Sequence, residues 1–227
     1  MTSKIAIIGG GYLGTLLAIE LLKNKCDVTI FTAVREENLK SGRILSSQCI
    51  WAPALEIEKN ILGHYPWEED YKGISGFHFR KINDCKTYNL DIDISEKLLS
   101  PGSSVDQRMK IPFFLEIFTK KGGNLIFKKI DSNSLNRIAN QFDLVIVAAG
   151  KGTYIFDEHF PLDHERCIYN KPQRTGSVVY INGRIQKLSD SLNSTPEEWT
   201  VVKDIGDFFC IPSYSFDGPC HIVCMEG

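Results

Sequence analysis

The most constraining feature of this chain is an apolar run that breaks into a glycine-rich turn at residues 5–14. β-branched residues precede the turn, as a buried parallel strand requires, and leucines recur at helical spacing after it. Gly9 permits a tight turn, Gly11 leaves the main chain open to a ligand, and Gly14 lets the helix pack closely on the strand. The helix N-terminus offers unpaired N–H groups to an anion. The pattern predicts a pyrophosphate-binding turn.

A second strand at residues 26–32 completes a βαβ unit of the length that nucleotide-binding folds use. Such units often end the second strand with Asp or Glu, whose carboxylate binds the ribose hydroxyls. Here Thr32 ends it, and a hydroxyl makes a weaker hydrogen bond than a carboxylate does. We therefore expect the dinucleotide to be held loosely and to exchange.

Two other interpretations of the amino-terminal segment are weaker. A secretory signal peptide would need an unbroken apolar stretch and a small-residue cleavage site, but Glu20 interrupts the stretch after Lys4. A membrane-dimer face on Gly10 and Gly14 would need a longer apolar run.

Composition excludes several classes of function. The chain has 227 residues, of which 43% are apolar, enough for a folded core. A net charge of −2 offers nothing that attracts nucleic acid or an anionic membrane. Cys220 and Cys224 would share one strand face with His221 on the other, which is poor geometry for a metal. We expect free thiols, no metal and a cytoplasmic protein.

The periodicity predicts an α/β protein with two domains. Residues 1–50 and 101–157 are typical of a Rossmann-like nucleotide-binding domain. Residues 51–100 and 158–227 alternate as half-buried strands do and predict a β-rich substrate domain. An antiparallel sheet is thus inserted into, and follows, the nucleotide-binding unit.

Individual elements follow from local signals. We expect a helix that opens within residues 104–108 and runs to about Lys121, or one that starts near Pro112, because proline is favoured in a first turn. Residues 36–47 and 189–199 are polar and predict loops. A buried strand at residues 142–150 ends in small residues, at the strand tips where ligands of α/β sheets bind.

Several segments resemble one known family in order and spacing. The matching segments are residues 9–14, 27–32, 41–43, 104–108, 122–123, 143–151, 171–174 and 211–218. Together they make the chain similar to the oxygenase component of the styrene monooxygenases, two-component FAD-dependent epoxidases. The resemblance extends over nearly the whole chain.

The resemblance implies FAD as cofactor and a glutathione-reductase-type binding domain. The cofactor-binding residues that it implies are Gly9, Gly11, Tyr12, Leu13, Gly14, Thr32, Arg43, Arg108, Ala148, Ala149 and Gly150. The glycine turn would hold the pyrophosphate, and the two arginines would contact the phosphates or the ribityl chain, since a guanidinium fork suits phosphate oxygens. The small residues at 148–150 would line the cofactor.

The resemblance also implies an activity. Reduced FAD, supplied by a separate NADH-dependent flavin reductase, would react with oxygen to give a C4a-hydroperoxide that passes one oxygen atom to an alkene, an indole or a sulfide. The reaction requires no acid–base dyad, and the histidines form no recognisable triad with a nucleophile. No catalytic side chain is therefore assigned. The substrate-pocket residues that we predict are Ser46, Phe77, His78, Phe209 and Phe216.

The sequence departs from the family in two places. The family has an amide near the isoalloxazine at the position that Ser46 matches. Family members also continue into a Gly-Asp motif that clasps the ribityl phosphate, so we expect this chain to be truncated at its carboxyl end. Two alternatives stay open: a non-catalytic remnant that binds flavin or another nucleotide, and an NAD(P)-dependent oxidoreductase.

Overall fold

The computed structural model describes residues 2–45, 49–84, 87–93, 101–150, 154–160, 163, 165–166, 168–169, 171–172, 174–182 and 195–227. The helices are α1 (Tyr12–Lys23), α2 (Glu36–Lys40), α3 (Ala54–Leu62), α4 (Gln107–Lys120), α5 (Ser132–Ala139) and α6 (Tyr154–His159). The strands are β1 (Lys4–Ile8), β2 (Asp27–Thr32), β3 (Ile74–Asp84), β4 (Thr87–Asp93), β5 (Asn124–Phe127), β6 (Leu144–Val147), β7 (Gly176–Asn182), β8 (Thr195–Val202), β9 (Gly206–Ser215) and β10 (Gly218–Glu226).

The chain divides into two compact units. Unit 1 comprises Met1–Ile44, Asn60–Gly63 and Gln107–Ile168. Unit 2 comprises Leu45–Lys59, His64–Asp106 and Tyr169–Gly227.

Unit 1 is built on a parallel sheet with strand order β5-β2-β1-β6. One face of the sheet carries Ile7 and Ile30 against Phe118 of α4. The other face carries Ile8 beside residues of α5 and α6, among them Ile155. The apolar run of β1 is therefore buried on both sides, as its β-branched residues predict. The predicted Rossmann-like α/β fold is confirmed.

Unit 2 is built on a sheet with strand order β4-β3-β8-β9-β10-β7. Strands β3 and β8 run parallel, whereas the other neighbours pair antiparallel. Phe79, Trp199 and Phe209 lie side by side on adjacent strands, so one face of the sheet carries a row of aromatic rings. The sheet is antiparallel as expected, apart from the β3–β8 pair.

Several element predictions were wrong in detail. Helix α4 begins at Gln107, within the predicted opening at residues 104–108, whereas the alternative start at Pro112 is wrong because Pro112 lies inside the helix. Strand β8 occupies part of the predicted polar loop at residues 189–199, because pairing with β3 and β9 overrides its polar composition. The predicted loop at residues 36–47 contains the short helix α2. In the part of the chain that the structure describes, every helix is too short or too polar to cross a membrane.

Candidate functional site

The turn between β1 and α1 has a backbone that requires glycine. Gly9 has a φ of +122°, and a Cβ there would overlap the carbonyl oxygen of Ala148. A Cβ on Gly14 would overlap the carbonyl oxygen of Gly9. The Gly9 N–H donates to the Phe31 carbonyl at 2.8 Å, which fixes the turn against β2. The turn is therefore packed by main chain on both sides, as the sequence predicts.

Gly11 leaves the outer side of this turn open. A Cβ on Gly11 would meet none of the described neighbouring residues within 4 Å, although the neighbouring glycines are tightly packed. Gly11 is also the N-cap of the 12-residue helix α1, and no side chain caps that end. The first N–H groups of the helix therefore lie beside an open stretch of main chain, which suits an anion such as a diphosphate.

The two side chains that follow Gly11 differ in their surroundings. Leu13 lies in the first turn of α1, and its side chain is 73% exposed. The Tyr12 ring contacts the Phe114 ring at 5.8 Å between centroids. The Lys110 ammonium lies 4.9 Å from the centroid of the Tyr12 ring. Tyr12 therefore anchors the start of α1 to α4.

Lys110 is a charged residue that sequence reasoning missed. Its side chain is only 2% exposed, and its ammonium contacts the rings of Tyr12 and Phe114. The Lys110 ammonium therefore lies beside the first residue of α1. A lysine within an amphipathic helix carries no sequence signal of burial, so only the packing of α4 on α1 reveals it.

Two further predicted residues border the turn. Thr32 is 7% exposed at the end of β2, and a Cβ on Gly10 would lie 3.0 Å from the Thr32 Cβ. Ala148 donates its N–H to the Ile8 carbonyl at 2.8 Å, which brings the end of β6 beside the turn. The structure thus gathers Thr32 and Ala148 around the glycines.

The small residues after β6 continue along the same edge. The Cα of Ala149 lies 2.9 Å from where a Gly9 Cβ would be. Gly150 has a φ of +71° and open space at its Cβ position. A flat ligand could approach Gly150 closely, because glycine carries no side chain of its own.

The two predicted arginines lie close together in unit 1. Arg108, in the first turn of α4, donates from Nη1 to the Gly42 carbonyl at 3.1 Å. This hydrogen bond holds the loop that carries Arg43, whose side chain is exposed. Arg108 therefore positions the loop that carries Arg43.

In unit 2, Phe77 and Phe209 project from the same face of the sheet. The Phe77 ring lies 4.5 Å from the Trp51 ring, and the Phe209 ring stacks on Trp199 at 5.3 Å. Aromatic side chains on one strand face form a wall of the kind that binds flat apolar ligands. The two tryptophans are additions that the sequence analysis did not single out.

His78 lies on the opposite face of the sheet, because neighbouring residues of a strand alternate. Its Nε2 is 2.6 Å from Asp91 Oδ1, and its Nδ1 is 3.4 Å from Glu198 Oε1. Arg80 on the same face pairs with Glu198 at 2.9 Å. His78 therefore belongs to an ion-pair network and does not share a wall with Phe77.

Phe216, another predicted pocket residue, lies apart from Phe209 along the chain. Phe216 lies in the turn between β9 and β10 and is 47% exposed. At about 3.3 Å per residue, it stands roughly 23 Å along the chain from Phe209. Ser46 lies outside the described residues.

A buried carboxyl group on the aromatic face was also missed. Glu197 pairs in register with Phe77 and is only 8% exposed. The Cys49 thiol donates to Glu197 Oε2 at 3.6 Å. Burial raises the pKa of the Glu197 carboxyl, and the hydrogen bond from Cys49 opposes this shift. Burial and the nearby carboxylate raise the pKa of the Cys49 thiol as well.

Comparison with known sequences finds similarity to the styrene monooxygenases. Residues 150–227 match the family described as "Styrene monooxygenase A putative substrate binding domain". Styrene monooxygenase StyA from a Pseudomonas species is 23% identical over the whole chain, and the Pseudomonas fluorescens StyA is 22% identical. The chain spans about half the length of these curated relatives, 51% in each case.

Solved structures share the fold at low identity. PqsL, a probable FAD-dependent monooxygenase from Pseudomonas aeruginosa, superimposes with a TM-score of 0.66 at 11% identity, covering 100% of this chain and 60% of PqsL. CtdE in complex with FAD gives a TM-score of 0.62 at 12% identity, covering 100% of this chain and 59% of CtdE. The sequence matches confirm that the chain resembles the styrene monooxygenases along its whole length.

Proposed function

We propose that this chain binds FAD and belongs to the oxygenase component of a two-component monooxygenase. The observation that carries the proposal is the open main chain at Gly11, set between the start of α1 and the end of β6. The similarity to the StyA enzymes supports this cofactor and this reaction class.

The residues around the turn fit the parts of FAD. The amides at the start of α1 would bind the diphosphate, because no side chain caps them and the main chain at Gly11 is open. Thr32 would reach the ribose through its hydroxyl, and Ala149 and Gly150 would leave room for the flat portion. Arg43 and Arg108 would add charge-assisted hydrogen bonds to phosphate oxygens.

Bound reduced FAD with dioxygen supplies oxygen transfer, in which one oxygen atom enters the substrate and the other leaves as water. The chain's own tasks are to hold the substrate and to exclude water. Phe77 and Phe209 would bind an alkene, an indole or a sulfide through their ring faces and edges.

A separate flavin reductase is the partner that this proposal requires. Thr32 supplies a neutral hydroxyl where many nucleotide-binding folds place a carboxylate, so the ribose would be held less tightly. A cofactor held in this way can arrive in its reduced form and leave after oxidation.

The binding step is tested with Gly11→Ala, because the added methyl group enters only the open space in front of the turn. We expect FAD affinity, measured by equilibrium dialysis, to fall about tenfold or more. Gly176→Ala is the matched control, since its Cβ would make ordinary contacts at 3.6 Å in unit 2. Equal affinities of the two variants would refute the proposed diphosphate site.

The reaction is tested by mixing the chain with FAD, NADH, a flavin reductase and indole. We expect blue indigo to form. FAD binding without colour would support a non-catalytic nucleotide-binding role, and binding of NAD without FAD would support a dehydrogenase instead.

A further inference from the structure

Unit 1 contains a cavity of about 330 Å³ that the proposed function does not use. One side of the cavity is formed by strands β2 and β5, at the edge of the parallel sheet. The other side is formed by helix α5 and the segment that follows it. None of the predicted FAD-binding residues lines it. Its size is at the lower end of the range for small-molecule pockets.

The cavity exists because α5 covers only part of this sheet face. Helix α5 has eight residues, and its Leu135 and Ile138 pack in the cluster that contains Ala6 and Ile8 of the central strand. Strand β5 is the last strand of the sheet on that side. The residues of β2 and β5 on the sheet face that α5 covers are therefore left beside an open space.

The inner part of the cavity is apolar and partly aromatic. Phe31, Ile126, Ile138 and Phe142 line it. The Phe31 and Phe142 rings meet edge to face, with centroids 6.1 Å apart and planes at 81°. A flat apolar group can pack against such rings, so this part of the cavity suits an aromatic ligand.

The cavity lining also includes polar residues of the same two strands, Thr29 of β2 and Asn124 of β5. Thr29 is only 4% exposed, and its Oγ1 accepts a hydrogen bond from Asn124 Nδ2 at 3.3 Å. Both side chains line the cavity. They offer an amide and a hydroxyl to a polar substituent of the ligand.

Two cations complete the lining. Lys128 and Arg137 both border the cavity, and among the described residues that line it none is acidic. Arg137 donates from Nη2 to Ser134 Oγ at 3.2 Å, which directs the guanidinium along the cavity side of α5. A guanidinium and an ammonium on the same cavity lining favour a carboxylate, since both can donate charge-assisted hydrogen bonds.

We propose that this cavity binds a small aromatic carboxylate of one or two rings, with the ring against Phe31 and Phe142 and the carboxylate at Lys128 and Arg137. The proposal is independent of FAD binding.

The test uses 2-naphthoate as the probe and the full chain as the protein. Binding is measured by isothermal titration, and the site is located from amide NMR shifts. We expect the shifts to centre on Phe31, Ile126 and Ile138. Neutral 2-naphthamide, which has the same shape, should bind at least about tenfold more weakly because it cannot form charge-assisted bonds.

Matched charge variants decide the role of the cations. Arg137→Gln and Lys128→Gln should each weaken 2-naphthoate binding about tenfold. Arg166→Gln is the matched control: it removes the same charge from unit 1, but the Arg166 side chain is 89% exposed and does not line the cavity. We expect this variant to bind 2-naphthoate as tightly as the unchanged protein. Gly11→Ala should also leave naphthoate binding unchanged.

Three outcomes would overturn the proposal. One is the absence of 2-naphthoate binding at millimolar concentration, or shifts that centre elsewhere. Another is equal affinity for the neutral amide. The last is equal weakening by Arg137→Gln and Arg166→Gln, which would indicate a general charge effect rather than a site.

Discussion

At the scale of single residues, the candidate site depends on glycines, which leave the main chain of the turn accessible, and on ionisable side chains that are buried. Gly9 and Gly14 are fixed by sterics, whereas Gly11 is structurally free and therefore informative about a ligand. Lys110 and Glu197 are buried ionisable groups next to predicted site residues. Each of these positions leads to a measurable expectation.

Gly9→Ala should destabilise the protein. The left-handed backbone and the overlap with the Ala148 carbonyl oxygen both penalise a Cβ. We expect the free energy of unfolding in urea to fall by about 2 kcal/mol or more. A loss no larger than that of Gly176→Ala would show that the turn is not packed in this way.

Glu197→Gln should remove a pH dependence of stability. Burial raises the folded-state pKa of this carboxyl above its ordinary value near 4.5, so the folded state keeps its proton to higher pH than the unfolded state. The unchanged protein should therefore lose stability as pH rises from 4.5 through the folded pKa. The variant should lack this loss in urea titrations at several pH values and should be the more stable of the two at pH 7. An unchanged pH profile would contradict the burial of Glu197.

At the scale of elements, strand and helix contacts hold the site residues in place. The Arg80–Glu198 pair ties β3 to β8, and Glu198 is 4% exposed. The Asp131 carboxylate caps α5 by accepting the Ser134 N–H at 2.8 Å. The first contact supports the aromatic wall, and the second supports the helix beside the cavity.

Arg80→Met should be strongly destabilising, because it leaves the buried Glu198 carboxylate without its guanidinium. We expect a loss of about 3 kcal/mol in the free energy of unfolding. The double variant Arg80→Met with Glu198→Met removes both charges and should recover most of that loss. A double variant as unstable as Arg80→Met alone would show that the pair itself is not responsible.

Asp131→Ala should lower the melting temperature, whereas Asp131→Asn should preserve the cap, since an amide oxygen can accept the same hydrogen bond. The hydrogen bonds from Ser134 lower the pKa of Asp131 below its ordinary value of 3.8. The stabilisation is therefore present above that value and is lost as pH falls through the folded pKa. The melting temperature of Asp131→Ala should therefore fall less at low pH than that of the unchanged protein. If Asp131→Ala melts at the same temperature as Asp131→Asn, the cap does not contribute to stability.

Element predictions from the sequence succeeded where a local signal and the fold agree. The strand, turn and helix of residues 4–23 combine β-branched residues, glycines and helical periodicity, and all three form as expected. Helix α4 opens within residues 104–108 as one interpretation predicts, and the alternative start at Pro112 is wrong because proline is tolerated here as the sixth residue of the helix. Strand β8 was missed because its neighbours in the sheet, rather than its own composition, determine it.

At the scale of the whole molecule, the fold followed from the sequence but the side-chain surroundings did not. The parallel sheet and the antiparallel strands were both predicted from periodicity. Packing between distant segments determines three features that the sequence did not predict. These are the ion pair of His78 with Asp91, the burial of Lys110 and the Cys49–Glu197 hydrogen bond. Sequence patterns therefore located the proposed phosphate turn, while its electrostatic surroundings required the structure.

The central claim is that the turn after β1 receives the diphosphate of FAD. The direct measurement is the amide NMR spectrum of the full chain during titration with FAD. We predict that the N–H signals of Gly11, Tyr12 and Leu13 shift first and most. FAD binding that leaves these three signals unchanged would contradict the account.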